Sequence, residues 1–123
     1  KIGFIGFAFK AGTDDLRESP IVNMIETLIG KGFELSLYDP NVLISKLIGK
    51  NKDYLTGHIP HISSLLKDSV DEVVSDAELI IIGNRSTSAD EIFSNLRDDQ
   101  IVIDLVRIIK GKVSEDNYVG ICW

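Results

Sequence analysis

Apolar residues fall along this chain in two alternating patterns. Short runs dense in Ile, Val, Leu and Phe occupy 2–9, 33–38, 79–83, 101–104 and 118–121. Between them, apolar residues recur at helical spacing: Ile21, Val22, Ile25, Leu28 and Ile29, then Val70, Val73 and Val74, then Ile92, Phe93 and Leu96. The runs read as strands and the spaced sets as helices. Ser19-Pro20 opens the first helix, Ser as cap and Pro at the first helical position, where a missing N–H costs nothing. Gly30 and Gly32 close it. Ser88 is a candidate cap for a helix over 88–96. A weak helix is expected over 43–48 and a short third strand over 59–62.

This alternation predicts an α/β fold, a Rossmann-like doubly wound parallel sheet of about five to six strands with helices on both faces. The run at 79–83 is apolar throughout, as in a strand covered on both sides. A Rossmann order, 3-2-1-4-5-6, is the first expectation and a flavodoxin-like order the second. At 123 residues the chain fits one domain spanning 1–123. It opens inside a strand without an initiator Met, so a fragment of a longer protein is expected.

Charge narrows the function classes. There are 13 Lys and Arg against 19 Asp and Glu, a net charge of -6, which argues against a general nucleic-acid binder. No apolar run approaches the roughly 20 residues needed to span a bilayer. The single Cys excludes an internal disulfide framework. No nucleic-acid or membrane partner and no metal are expected.

In open α/β sheets, ligands bind at the carboxyl ends of the strands. After the first strand come residues 10–18, after the 79–83 strand Asn84-Arg85-Ser86-Thr87, and after the 101–104 strand Arg107. An acidic chain thus places Lys10, Arg17, Arg85 and Arg107 at one sheet edge, beside the amino end of the Pro20 helix. That set suits an anion, phosphate foremost. The competing reading pairs Arg17 with Asp14, Asp15 or Glu18 and leaves Lys10 solvated. Gly3-x-x-Gly6 lies within a strand and is not the G-x-G-x-x-G turn that receives a pyrophosphate, so no independent NAD site is expected. Asp39 imitates a ribose-binding acid but reads more simply as a turn former before Pro40. His58 and His61 read as loop residues rather than metal ligands. Cys122, with no His near it in sequence, reads as a buried or incidental thiol rather than a nucleophile. Asp14-Asp15 reads as loop capping rather than an acid/base pair.

Residues 6–20, with Phe9-Lys10, Thr13-Asp14-Asp15 and Arg17-Glu18-Ser19-Pro20, resemble the opening of the C-terminal domain of the UDP-glucose/GDP-mannose dehydrogenase family. The likeness continues through Tyr38-Asp39-Pro40-Asn41, residues 59–65, Ile82-Gly83-Asn84, Asp104-Leu105-Val106 and Gly120-Ile121-Cys122-Trp123, where it favours the GDP-mannose branch over the UDP-glucose branch. The resemblance implies a cytoplasmic, NAD-dependent enzyme that oxidises a C6 alcohol to a carboxylate in two steps through a catalytic cysteine upstream of this domain. It implies that Phe9 and Lys10 contact the sugar nucleotide and that Arg17 reaches toward the cofactor or pyrophosphate. Arg107 sits one position from the family's nucleotide-contacting arginine and is the substrate-binding candidate there. No catalytic residue is expected in this chain, and NAD is expected mainly on an N-terminal domain of the same polypeptide. The implied partners are GDP-mannose or a related sugar nucleotide, that N-terminal domain, and further copies in a homo-oligomer. A stand-alone CheY-like module is the rival of another class. It needs a phosphorylatable Asp where this chain has Asn84-Arg85.

Overall fold

Five of the apolar runs become parallel strands: β1 (Ile2–Ile5), β2 (Leu35–Tyr38), β3 (Leu79–Ile82), β4 (Ile101–Asp104) and β5 (Tyr118–Gly120). The computed structural model describes residues 1–7, 20–42, 57, 62–109 and 116–121. Its helices are α1 (Pro20–Gly30), α2 (Ile62–Leu65), α3 (Val70–Asp76) and α4 (Ala89–Phe93). The expected helix over 43–48 lies outside the described residues.

Strand alternation sorts the core into two layers. Ile2, Phe4, Leu35, Leu37 and Ile81 face α1, which buries Ile21, Val22 and Ile25 against them. Ile5, Ile80, Ile82 and Val102 face the other way, toward Val70, Val73 and Val74 of α3 and Ile92 of α4. Burying each such side chain contributes about 1.5–3 kcal/mol. Gly3 lets α3 approach β1, since a Cβ there would lie 2.6 Å from Val73 Cγ1. The Gly3-x-x-Gly6 spacing is therefore a packing feature on its first glycine.

The strand order is β2-β1-β3-β4-β5. Leu66 adds a parallel bridge to Leu37, and the Lys67 N–H donates to the Leu37 carbonyl at 2.7 Å. That bridge lies on the outer edge of β2, where a Rossmann order puts its third strand. The expected order is thus present with that strand reduced to one bridge. Its position corrects the expected strand over 59–62: Ile62 begins α2, and 59–61 lie outside the described residues. Among the described residues, the contact with the outer edge of β2 falls on Leu66.

Helix ends follow their capping chemistry. Pro20 is the first residue of α1, and Gly32, at φ 90°, reverses the chain after it. Ser69 and Ser88 cap α3 and α4, each hydroxyl accepting from the N–H three residues on (3.3 and 3.2 Å). The helix expected over 88–96 ends at Phe93, and Phe93, its last residue, and Leu96, in the turn that follows, pack on the core. Buried Gln100 donates to the Val74 and Ala77 carbonyls, closing the far end of α3.

Candidate functional site

The first strand, expected over 2–9, stops at Ile5 because Gly6 turns the backbone to φ 85°. A Cβ on Gly6 would lie 2.2 Å from Asn84 Oδ1, and one on Gly83 would lie 2.2 Å from the Gly6 carbonyl oxygen. The ends of β1 and β3 therefore approach as only two glycines allow. Ile21 of α1 abuts Gly83 on the same rim, with its Cγ1 3.2 Å from that notional Cβ. Residues 8–19, which hold Phe9, Lys10 and Arg17, fall between Phe7 and Pro20 in the sequence and lie outside the described residues.

A buried acid ties three strand ends together. Asp39, 1% exposed at the end of β2, accepts from the Phe7 N–H and from Asn84 Nδ2 on one oxygen, both at 3.0 Å. Its other oxygen accepts from the Asn41 N–H at 2.9 Å, the turn-forming role expected of it. Asn84 Oδ1 in turn accepts from the Ser86 N–H at 3.0 Å. An acid engaged on both oxygens inside the protein does not offer itself to a ribose.

A second buried acid organises the end of β4. Asp104, 0% exposed, accepts from the Val106 and Ile108 N–H groups (2.9 Å each) and from the Tyr118 hydroxyl. Burial, the bond to Asp104 and the charge of Asp104 hold the Tyr118 phenol well above its ordinary pKa. Burial also raises Tyr38, assisted by Glu91 and Asp39. Phe93 packs on the Tyr118 ring with centroids 5.8 Å apart.

The structure brings together two of the four cations expected at this edge. Arg85 and Arg107 both lie exposed on the rim, and Arg85 donates to main-chain carbonyls of the Arg107 turn: Nε and NH2 to the Val106 oxygen (3.0 and 2.6 Å), NH2 to the Arg107 oxygen (3.3 Å). Phe9, Lys10 and Arg17 lie outside the described residues. So do Asp14, Asp15, His58, His61 and Cys122. Sequence reasoning missed the buried roles of Asn84 and Asp104. A polar residue closing an otherwise apolar strand was the available signal.

A cavity of about 400 Å3 lies at the opposite edge of the sheet. Ile29, Phe33, Leu35 and Leu65 line it, with Lys1, Lys67, Glu34 and Asp76 among its charged residues. Mixed charge and distance from the strand carboxyl ends separate it from the rim just described. Among the described residues no helix is long and apolar enough to cross a membrane.

Comparison with known proteins decides the family. The description "UDP-glucose/GDP-mannose dehydrogenase family, UDP binding domain" matches residues 3–111. This chain belongs to that family. The GDP-mannose 6-dehydrogenase of Pseudomonas savastanoi pv. phaseolicola is 48% identical over 124 residues, covering 100% of this chain and 28% of that protein. The UDP-glucose 6-dehydrogenase of Rickettsia bellii is 30% identical over 112 residues, covering 89% of this chain and 24% of its own length. Among solved structures, a ternary complex of GDP-mannose dehydrogenase from Pseudomonas aeruginosa superposes with a TM-score of 0.80 at 42% identity, over 100% of this chain and 28% of that one. The chain thus spans about a quarter of the length of these relatives, and the Rossmann-like sheet is that of the dehydrogenase family.

Proposed function

We propose that residues 1–123 form the C-terminal, sugar-nucleotide-holding domain of an NAD-dependent GDP-mannose 6-dehydrogenase, which oxidises the C6 alcohol to a carboxylate in two steps. The observation that carries this is the contrast in likeness: 48% identity across the whole chain to a GDP-mannose enzyme, against 30% over 89% of it to a UDP-glucose enzyme. Its nearest alternative is the same domain serving a UDP-sugar, which the family's own description keeps in view.

In this reading Phe9, Lys10 and Arg107 hold the sugar nucleotide and Arg17 reaches toward the cofactor. The rim geometry supports it, since Gly6 and Ile21, on either side of the segment that holds Phe9, Lys10 and Arg17, both abut Gly83, and Arg107 sits exposed on the turn after β4. A nucleoside diphosphate carries about two negative charges, and each charge-assisted contact from Lys or Arg is worth about 1.5–3 kcal/mol when water is excluded. NAD, held mainly by an upstream domain of the same polypeptide, supplies the hydride acceptor. That domain also contributes the catalytic cysteine, and closing it over this rim excludes water. In this proposal the enzyme works in the cytoplasm as a homo-oligomer. This domain alone is expected to turn nothing over.

The test is made on the full-length protein, following NADH absorbance with GDP-mannose and with UDP-glucose. GDP-mannose is expected to give the higher kcat/KM and two NADH per sugar. A preference for UDP-glucose would move the domain to the other branch. Lys10→Ala is expected to raise KM for the sugar nucleotide by about tenfold or more, and an unchanged KM removes Lys10 from the site.

A further inference from the structure

Arg85 was expected at the strand ends as one more cation for an anion. The structure gives its guanidinium other work. Its Nε and NH2 converge on the Val106 carbonyl, and NH2 also reaches the Arg107 carbonyl. A planar fork aimed at two successive carbonyls grips the backbone. The backbone it grips is unusual: Arg107 stands at φ 53°, among the described residues the one non-glycine in the left-handed region. From the other side, Asp104 accepts from the N–H groups of Val106 and Ile108, the residues flanking Arg107. The turn is thus held through its N–H groups by an acid of β4 and through its carbonyls by an arginine from the end of β3.

We propose that Arg85 is a positioning residue for substrate binding, holding Arg107 in the left-handed turn from which that side chain meets the diphosphate of the sugar nucleotide. The inference rests on the assignment of Arg107 made above. It follows from three features found together: a strained residue, carbonyls on that strained turn, and a fork from a neighbouring strand bonded to them. Arg85 then affects the nucleotide through Arg107 and not by its own charge. Two predictions follow from that distinction. Removing Arg85 changes nothing further once Arg107 is gone. A lysine at 85 keeps the charge but lacks the fork, and so does not substitute.

The experiment measures KM and kcat for GDP-mannose in the full-length dehydrogenase carrying Arg85→Ala, Arg85→Lys, Arg107→Ala and the Arg85→Ala/Arg107→Ala pair, with thermal melting of each. Arg107→Ala is expected to raise KM about ten- to a hundredfold and Arg85→Ala about tenfold, with kcat nearly unchanged. Arg85→Lys is expected to match Arg85→Ala, and the double variant to match Arg107→Ala alone. Effects that multiply in the double variant, or a lysine that restores KM, would mean a direct ionic contact and overturn the positioning role. An Arg107→Ala enzyme with unchanged KM overturns the assignment of Arg107 itself, and that single variant separates the two failures.

Discussion

The two edges of the sheet handle charge in opposite ways. At the carboxyl edge, Asp39 is buried and bonded to the Phe7 N–H beyond β1, and Asp104 is buried and bonded to N–H groups of the turn after its own strand and to the Tyr118 hydroxyl of β5. At the amino edge, Lys1 Nζ lies 3.2 Å from Asp76 and 3.9 Å from Glu34, with all three side chains about half exposed or more. A buried acid with fixed donors sets the relative position of the segments it joins. An exposed pair of long side chains sets little, because solvent screens it and its rotamers stay free. The edge built for precision is the one that carries Phe7, at the end of the described part of the first crossover, and the Arg107 turn. The cavity of about 400 Å3, at the other edge, is bordered by these exposed ion pairs. In the function proposed above, the ligand belongs to the edge that buried polar groups organise and not to this cavity.

Two glycines give the sharpest form of this contrast. Gly6 and Gly32 have nearly the same backbone, φ 85° and 90°, but a Cβ on Gly6 strikes Asn84 while one on Gly32 meets nothing within 4 Å. Gly32→Ala adds only the left-handed cost, about 1–2 kcal/mol. Gly6→Ala adds overpacking against the Asp39–Asn84 pair and is expected to cost about 3–5 kcal/mol. Urea unfolding of both variants measures the difference. Equal losses would mean that the rim yields as freely as the turn after α1.

How much of this was legible beforehand depends on what kind of signal each feature leaves. Strand and helix leave periodicity, so Leu79–Ile82 and α1 are readable from Ile80-Ile81-Ile82 and from Ile21, Val22 and Ile25. The third strand is not, because a single bridge at Leu66 leaves no run of alternating residues. The end of β1 was read too far, since the Gly6 turn is dictated by contact with Asn84, 78 positions on, and no local pattern carries that. The candidate rim was legible as a list of cations at strand ends. Which of them grips backbone was not: Arg85 and Arg107 are the same residue type in equivalent loops. Only the position of the Val106 carbonyl assigns them different work.

A smaller effect is expected at Tyr118, on the same edge. Its hydroxyl donates to buried Asp104, and its pKa is raised mainly by burial, then by that bond and charge. A pKa higher in the folded than in the unfolded state means that folding favours the neutral phenol. Its contribution is fully present below the unfolded value near 10 and is lost as pH rises beyond it. Tyr118→Phe is therefore expected to cost about 2 kcal/mol at neutral pH, by leaving Asp104 short of a donor. It should also flatten the fall in stability between about pH 9 and pH 11, leaving the slope contributed by other groups. Unfolding free energies of both proteins across that range measure it. An unchanged alkaline slope would mean that the phenol ionises as readily folded as unfolded.

The smallest effect belongs to the amino edge. Lys1 Nζ and Asp76 meet at 3.2 Å in the open, and the Lys1 pKa is raised first by its hydrogen bond to Asp76 and then by that residue's charge and Glu34's. Such a shift describes proximity, and in solvent it converts to little stability. Asp76→Asn keeps the shape of the α3 terminus while removing the charge, and its unfolding midpoint is expected to match the parent within error, at low salt and at high. Raised salt screens what little interaction exists, since the Debye length shrinks to about 3 Å at 1 M. A clear loss that salt abolishes would show that this exposed pair fixes the start of β1 against α3. The two edges would then differ in the kind of charge pairing they use but not in how firmly it holds the sheet.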